Sequence, residues 1–122
     1  ICFDWFFPEV WRALALEGAE LIAHPSNLVL PGRCQRGIPG HAMWNRLFIA
    51  TANRIGAEAT LRFTGESLLV DPRGEVLAKA SPDRAEVLRV AIDPALAREK
   101  RVTGRNDAFL DRRPELYSRL VR

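Results

Sequence analysis

The sequence predicts an α/β protein with a parallel βαβ unit and, further along the chain, a β-hairpin. Three observations predict it. Residues 1–3, 8–18 and 21–24 read as strand, helix, strand, the order of a parallel βαβ unit. Asp71-Pro72-Arg73-Gly74 has the residue types of a type I turn and lies between two apolar runs. The chain is 48% hydrophobic and 27% charged, which suits a packed core and excludes disorder.

Taken in order, Ile1-Cys2-Phe3 reads as the end of a buried strand. The chain has no initial Met and begins strand-like, so it is expected to be part of a longer domain. Pro8 is tolerated at a first helical position, and Glu9 suits the helix dipole. Val10, Ala13 and Leu14 share one helical face, which leaves Trp11 off it and available to a partner. Gly18 is a plausible stop. Leu21-Ile22-Ala23-His24 reads as a strand ended by Pro25. Pro31, Gly32 and Gly37 mark residues 26–37 as a long loop, with a helix starting near Pro39 and carrying His41 to Arg46. Residues 48–53 read as a third strand. Residues 67–70 and 75–80 are the arms of the hairpin, and residues 87–92 read as a further strand. Asp93-Pro94 starts a helix that is expected to run from Ala95 toward Val102. From Thr103 the chain is polar and irregular. The even composition shows no linker and no repeat, so residues 1–122 form one structural unit.

Charge and cysteine usage narrow the function. The net charge of +3 comes from 18 bases, only Lys79 and Lys100 being Lys, interleaved with 15 acids. A nucleic-acid binder concentrates its bases on one stripe, so a nucleic-acid role is not expected. No apolar run approaches the roughly 18 residues that cross a bilayer, so no membrane role is expected either. Cys2 and Cys34 are too few for a disulfide scaffold and suit a reducing cytoplasm. Cys34, beside Arg33 and Arg36, has surroundings that lower a thiol pKa, but no motif behind it. His24 ends an apolar strand and reads as a hydrogen-bonded core histidine. Met43 and Trp44 read as packing residues. No metal-ligand spacing and no phosphate-binding glycine loop appears, so no metal and no cofactor is expected.

Cys2 stands at the C-terminal end of its expected strand, where α/β sheets gather ligands and a thiol can attack an electrophilic carbon. Cys2-Phe3-Asp4-Trp5-Phe6-Phe7-Pro8-Glu9 resembles the nucleophile motif of the nitrilase superfamily, the carbon–nitrogen hydrolases. Arg12 to Ile22, Pro25-Ser26-Asn27, Asn45-Arg46 through Gly56, Gly65-Glu66-Ser67, Asp71 to Gly74 and Asp111 to Tyr117 resemble that family's later segments in order.

The resemblance implies the C-terminal half of an α-β-β-α sandwich and a Glu–Lys–Cys triad. Cys2 is implied as the nucleophile and the backbone N–H of Phe3 as an oxyanion donor. Trp5, Phe6, Ser26 and Asn27 are implied as substrate-binding, while Asp4 and Glu9 are read as structural. The family's Glu and Lys lie upstream of the Cys, and neither Lys79 nor Lys100 matches the missing Lys. The chain alone is therefore expected to be inactive, within a hydrolase of a small amide or nitrile. The other reading is a non-catalytic remnant that serves as an interaction module. Two departures stand out. His41-Ala42-Met43-Trp44-Asn45 replaces the Arg-Ala-x-Glu-Asn pattern of relatives. Trp5-Phe6 stands where relatives that cleave N-carbamoyl amino acids have two Arg, so an apolar pocket mouth is expected. A homodimer or larger assembly is expected, with residues 8–18, 39–46 and 107–122 near the subunit contact.

Overall fold

The computed structural model describes residues 1–121, and Val121 only in its backbone. Arg122, the end of the expected tail, lies outside the described residues. A 3-10 helix (Cys2–Phe6) leads directly into helix α1 (Pro8–Leu16). Strand β1 (Leu21–Ser26), helix α2 (Arg33–Asn45) and strand β2 (Phe48–Asn53) follow. A small ribbon, β3 (Ala57–Glu58) with β4 (Leu61–Arg62), precedes the hairpin of β5 (Leu68–Val70) and β6 (Val76–Lys79). Short 3-10 helices at Pro94–Arg98, Pro114–Leu116 and Ser118–Val121 complete the chain.

The main sheet has the order β1-β2-β5-β6. β1 pairs with β2 in parallel, Leu21 opposite Phe48 through Ser26 opposite Asn53. The other pairs are antiparallel. The parallel unit is therefore β1–α2–β2, one helix later than the sequence predicts. Ile1 to Phe3 is not a strand: Cys2 has φ 43°, which extended backbone cannot adopt, and Asp4 N–H donates to the Ile1 carbonyl at 2.9 Å. β1 continues through Pro25 because it is an edge strand, where a missing N–H is tolerated.

Burial decides the helices. α1 begins with Pro8 and closes across left-handed Gly18, where Ala19 N–H donates to the Leu14 carbonyl at 3.1 Å. Its buried face is Trp11 and Ala15, while Ala13, Leu14 and Leu16 face outward. This reverses the expected orientation: Trp11 is only 1% exposed. α2 starts at Arg33, six residues before the predicted start, and runs through Pro39. Its register is set by Cys34, Ile38 and Ala42, which recur every fourth residue and are all buried. At its other end Arg46 is left-handed and Lys100 Nζ donates to the Arg46 carbonyl at 2.9 Å, a cation on a helix C-terminus.

Both helices cover the same face of the sheet. Along the strands His24, Ser26, Ile49, Thr51, Leu68 and Val70 are buried, alternating with the more exposed Ala23, Pro25, Ala50, Ala52 and Leu69. The second set is also apolar, as in a sheet that packs on both faces. Residues 86–92 border a groove of about 460 Å³ there with Leu21, Ala50, Ala52 and Leu69. The strand expected at 87–92 does not form, and Val87 is 83% exposed. One helical layer on a sheet with a second apolar face is half of an α-β-β-α sandwich. The hairpin forms as predicted: Gly74 N–H donates to the Asp71 carbonyl at 3.0 Å, and Asp71 Oδ1 accepts from Arg73 and Glu75. Asp93 caps its short helix through the Ala95 N–H, but the helix stops at Arg98 instead of continuing toward Val102.

Ile38 has no exposed surface and joins α2 to the core around Phe48 and Ile49. Ile38→Ala in the full-length protein is expected to lower unfolding free energy by about 2–5 kcal/mol, read from urea denaturation.

Candidate active site

The 3-10 helix at Cys2–Phe6 carries the thiol. Cys2 is half-buried and left-handed at φ 43°, a conformation that costs a non-glycine residue about 1–3 kcal/mol and persists only when its surroundings hold it. Much of the turn itself faces outward. Phe3, Phe6 and Phe7 are exposed, and the Phe3 and Phe6 rings stack with centroids 5.5 Å apart. Trp5 is half-buried and packs on α2, where a Cβ at Gly37 would lie 3.6 Å from its ring.

Two histidines reach the turn from beneath. His24 Nε2 is 2.9 Å from the Cys2 carbonyl oxygen, and His24 Nδ1 is 3.1 Å from Thr51 Oγ1. A carbonyl only accepts, so Nε2 carries the proton and neutral Nδ1 accepts from the Thr51 hydroxyl. Thr51 stands opposite His24 in the β1–β2 register. His41 Nε2 donates in the same way to the Trp5 carbonyl at 2.9 Å. Trp11 lies between the two rings, 5.3 Å from His24 edge-on and 5.2 Å from His41 at an interplanar angle of 17°. Burial, the main cause in both cases, lowers the pKa of each imidazole below the usual histidine range. His24 is thus the hydrogen-bonded core histidine that its place in the sequence predicts. His41 contacts Trp5 and Trp11 rather than an acid.

The other expected site residues are distributed unevenly. Ser26 is buried, its hydroxyl 3.3 Å from the His24 ring, and Asn27 is exposed just beyond β1. Asp4 is half-buried within the turn, and Glu9 lies on the outer side of α1. Cys34 is not in a loop beside two arginines. It is buried in α2, and burial pushes its thiol up to about 12, opposite to the predicted lowering. Lys79 pairs with Glu66 at 2.6 Å, and Lys100 is held by the Asn45 and Arg46 carbonyls and by the Phe109 ring. Met43 and Trp44 are exposed, although the Trp44 ring covers Gly40, where an added Cβ would meet it at 3.0 Å. Trp11 and Thr51 carry no motif. Their part at the site follows only from the β1–β2 register and the rotation of α1.

A groove of about 640 Å³ separates the outer faces of α1 and α2 from the C-terminal segment. Ala13, Leu16 and Trp44 line one side of it, and Pro114, Tyr117 and Leu120 the other. The segment is tied down by Phe109, which receives the Arg12 guanidinium at 5.2 Å and the Lys100 ammonium at 4.7 Å. No helix is long and apolar enough to cross a membrane among the described residues.

Comparison with known proteins matches the fold and the sequence. Over 119 residues the chain is 50% identical to a nitrilase from Pyrococcus abyssi, covering 98% of this chain and 45% of that protein. A crystal structure of a carbon–nitrogen hydrolase from Helicobacter pylori G27 superposes with a TM-score of 0.86 at 30% identity, over 99% of this chain and 47% of that one. A mutant of the amidase from Nesterenkonia sp. AN1 superposes with a TM-score of 0.77 at 34% identity, over 95% of this chain and 40% of that one. That amidase carries the acetamide moiety of fluoroacetamide covalently on its active-site cysteine. The chain thus spans less than half the length of these relatives. The carbon–nitrogen hydrolase model matches residues 1–102, and with the half-sandwich fold and the cysteine on its strained turn, the chain belongs to the carbon–nitrogen hydrolase family.

Proposed function

We propose that this chain is part of a longer enzyme that hydrolyses an amide or nitrile of a small substrate through a covalent acyl intermediate on Cys2. The observation that carries the reading is the half-buried thiol held left-handed at the head of α1. The covalent adduct on the active-site cysteine of the similar Nesterenkonia amidase supports it. For an amide, the Cys2 thiolate adds to the carbonyl carbon and the oxygen takes the negative charge. Collapse breaks the C–N bond, and the nitrogen leaves with a proton as ammonia or an amine. Water then attacks the thioester, giving the carboxylic acid and returning the thiol. The Phe3 N–H is the oxyanion donor contributed by this chain, a contribution worth a few kcal/mol in comparable hydrolases. A general base and a cationic stabiliser come from the remainder of the domain. Both free thiols suit the reducing cytoplasm, where we place the enzyme.

The chain alone lacks those two groups and is expected to release no ammonia. In the full-length protein Cys2→Ala is expected to abolish ammonia release from a panel of small nitriles and amides, while buried Cys34→Ser stays near wild type. Activity that survives Cys2→Ala, or that is lost with Cys34→Ser in a folded protein, refutes the assignment of Cys2, whereas a folded wild-type protein that releases no ammonia from the whole panel favours a non-catalytic interaction module.

Trp5 and Phe6 offer no cation to a carboxylate beside the scissile bond. A single charged hydrogen bond is worth about 1.5–3 kcal/mol, so neutral substrates are expected to be preferred over N-carbamoyl amino acids by about one to two decades in kcat/KM. Steady-state kinetics on matched neutral and carboxylate substrates checks this.

The outward face of α1 borders the groove through Ala13 and Leu16, together with exposed Trp44 and the C-terminal segment, and we propose it as the contact with a second copy. Light scattering on the full-length protein is expected to show a dimer or larger species at micromolar concentration. Deletion of residues 107–122 is expected to weaken it.

A further inference from the structure

We propose that His24 and His41 are positioning residues for the nucleophile turn: their imidazole N–H groups hold the Cys2 and Trp5 carbonyls and thereby aim the Phe3 N–H at the site where an oxyanion forms. The proposal rests on the hydrolase reading for its kinetic arm. Its geometric basis is the peptide plane. The Cys2 carbonyl and the Phe3 N–H belong to one planar, trans unit, so they point in opposite directions. His24 Nε2 lies 2.9 Å from that carbonyl and comes from the buried face of β1, on the inner side of the turn. Fixing the carbonyl inward fixes the Phe3 N–H outward.

The turn has little else to hold this plane. Cys2 is in the left-handed region at φ 43°, and the turn's own side-chain contact is the Asp4 carboxylate, which accepts from the Ile1 nitrogen. Phe3, Phe6 and Phe7 are all exposed. The inward anchors are two carbonyls, at Cys2 and Trp5, each accepting from one imidazole at 2.9 Å. Each anchor is in turn held. Thr51 Oγ1 donates to His24 Nδ1 at 3.1 Å, and Trp11 packs against both rings. Trp11 sits on α1, which continues directly from the turn, so one short segment carries both the thiol and the plate that orients its anchors. Burial keeps both rings neutral, with the single N–H of each available to its carbonyl.

The test uses the full-length protein and pairs of variants that separate the donor from the ring. His24→Gln keeps an N–H donor at the reach of Nε2, and His24→Leu removes it. His41→Gln keeps the donor without the stacked ring, and His41→Phe keeps the ring without the donor. An oxyanion donor acts in the transition state, so misaiming it lowers kcat more than it raises KM. His24→Leu and His41→Phe are expected to lower kcat for a small amide by about 10- to 100-fold with KM within about threefold, and both Gln variants to stay within about fivefold of wild type. Wild-type kcat in folded His24→Leu and His41→Phe overturns the proposal, as does a loss in the Gln variants equal to that in their partners. If His24→Leu does not fold, His24→Gln decides: a folded Gln variant with kcat lowered more than about tenfold overturns it, and a near-wild-type value supports it.

Alkylation of Cys2 by iodoacetamide reads the turn without turnover. Its rate is expected to change at least about fivefold in His24→Leu and to be retained in His24→Gln. A wild-type protein that turns over none of the amide and nitrile panel removes the hydrolase reading. The alkylation rates then decide the positioning role: equal rates in wild type and His24→Leu overturn it, and the expected change supports it.

Discussion

The indole of Trp11 is 1% exposed and lies little more than 5 Å from the rings of both His24 and His41, so one side chain of α1 sets the spacing between β1, α2 and the Cys2 turn. A large aromatic in that position contributes more than apolar burial. It keeps two imidazoles at fixed angles, and those imidazoles hold the two carbonyls of a turn that is strained at Cys2. The cysteine-bearing segment thus carries part of its own support, because the turn runs directly into α1.

The same layer explains why the two cysteines differ. Cys2 stands on an outward-facing turn above the histidines, half-buried. Cys34 lies inside the helix–sheet core, where burial disfavours the thiolate and pushes its pKa up to about 12. A thiolate is the nucleophilic form, so its place in the core makes the Cys34 sulfur inert. Arg33 and Arg36 flank Cys34 in sequence but lie on the outer side of α2, since helical neighbours one and two apart point away from each other.

On the opposite face the sheet remains apolar, with Ala23, Ala50, Ala52 and Leu69 bordered by an extended segment that forms no ladder. Val87 to Ile92 has the composition of a strand and lacks a neighbour to pair with among the described residues. A strand needs a partner, and propensity alone does not supply one. The C-terminal segment behaves similarly. Phe109 is anchored by Arg12 and Lys100, while Leu110 is 85% exposed.

The sequence by itself pointed to the family and to much of the local structure. The Cys2-Phe3-Asp4 motif, the Pro8 helix start, β2 and the Asp71 hairpin are all written in short-range signals, where a turn residue or a cap acts within a few positions. Tertiary structure decided what depends on neighbours distant in the chain. It rotated α1 to bury Trp11 and drew α2 through Pro39 so that Cys34, Ile38 and Ala42 meet the sheet. It also turned the expected first strand into a 3-10 helix and placed Thr51 opposite His24. His24 and His41 are 17 positions apart, and the groups they hold are backbone carbonyls. Every residue type carries that carbonyl, so no pattern of side chains announces the contact.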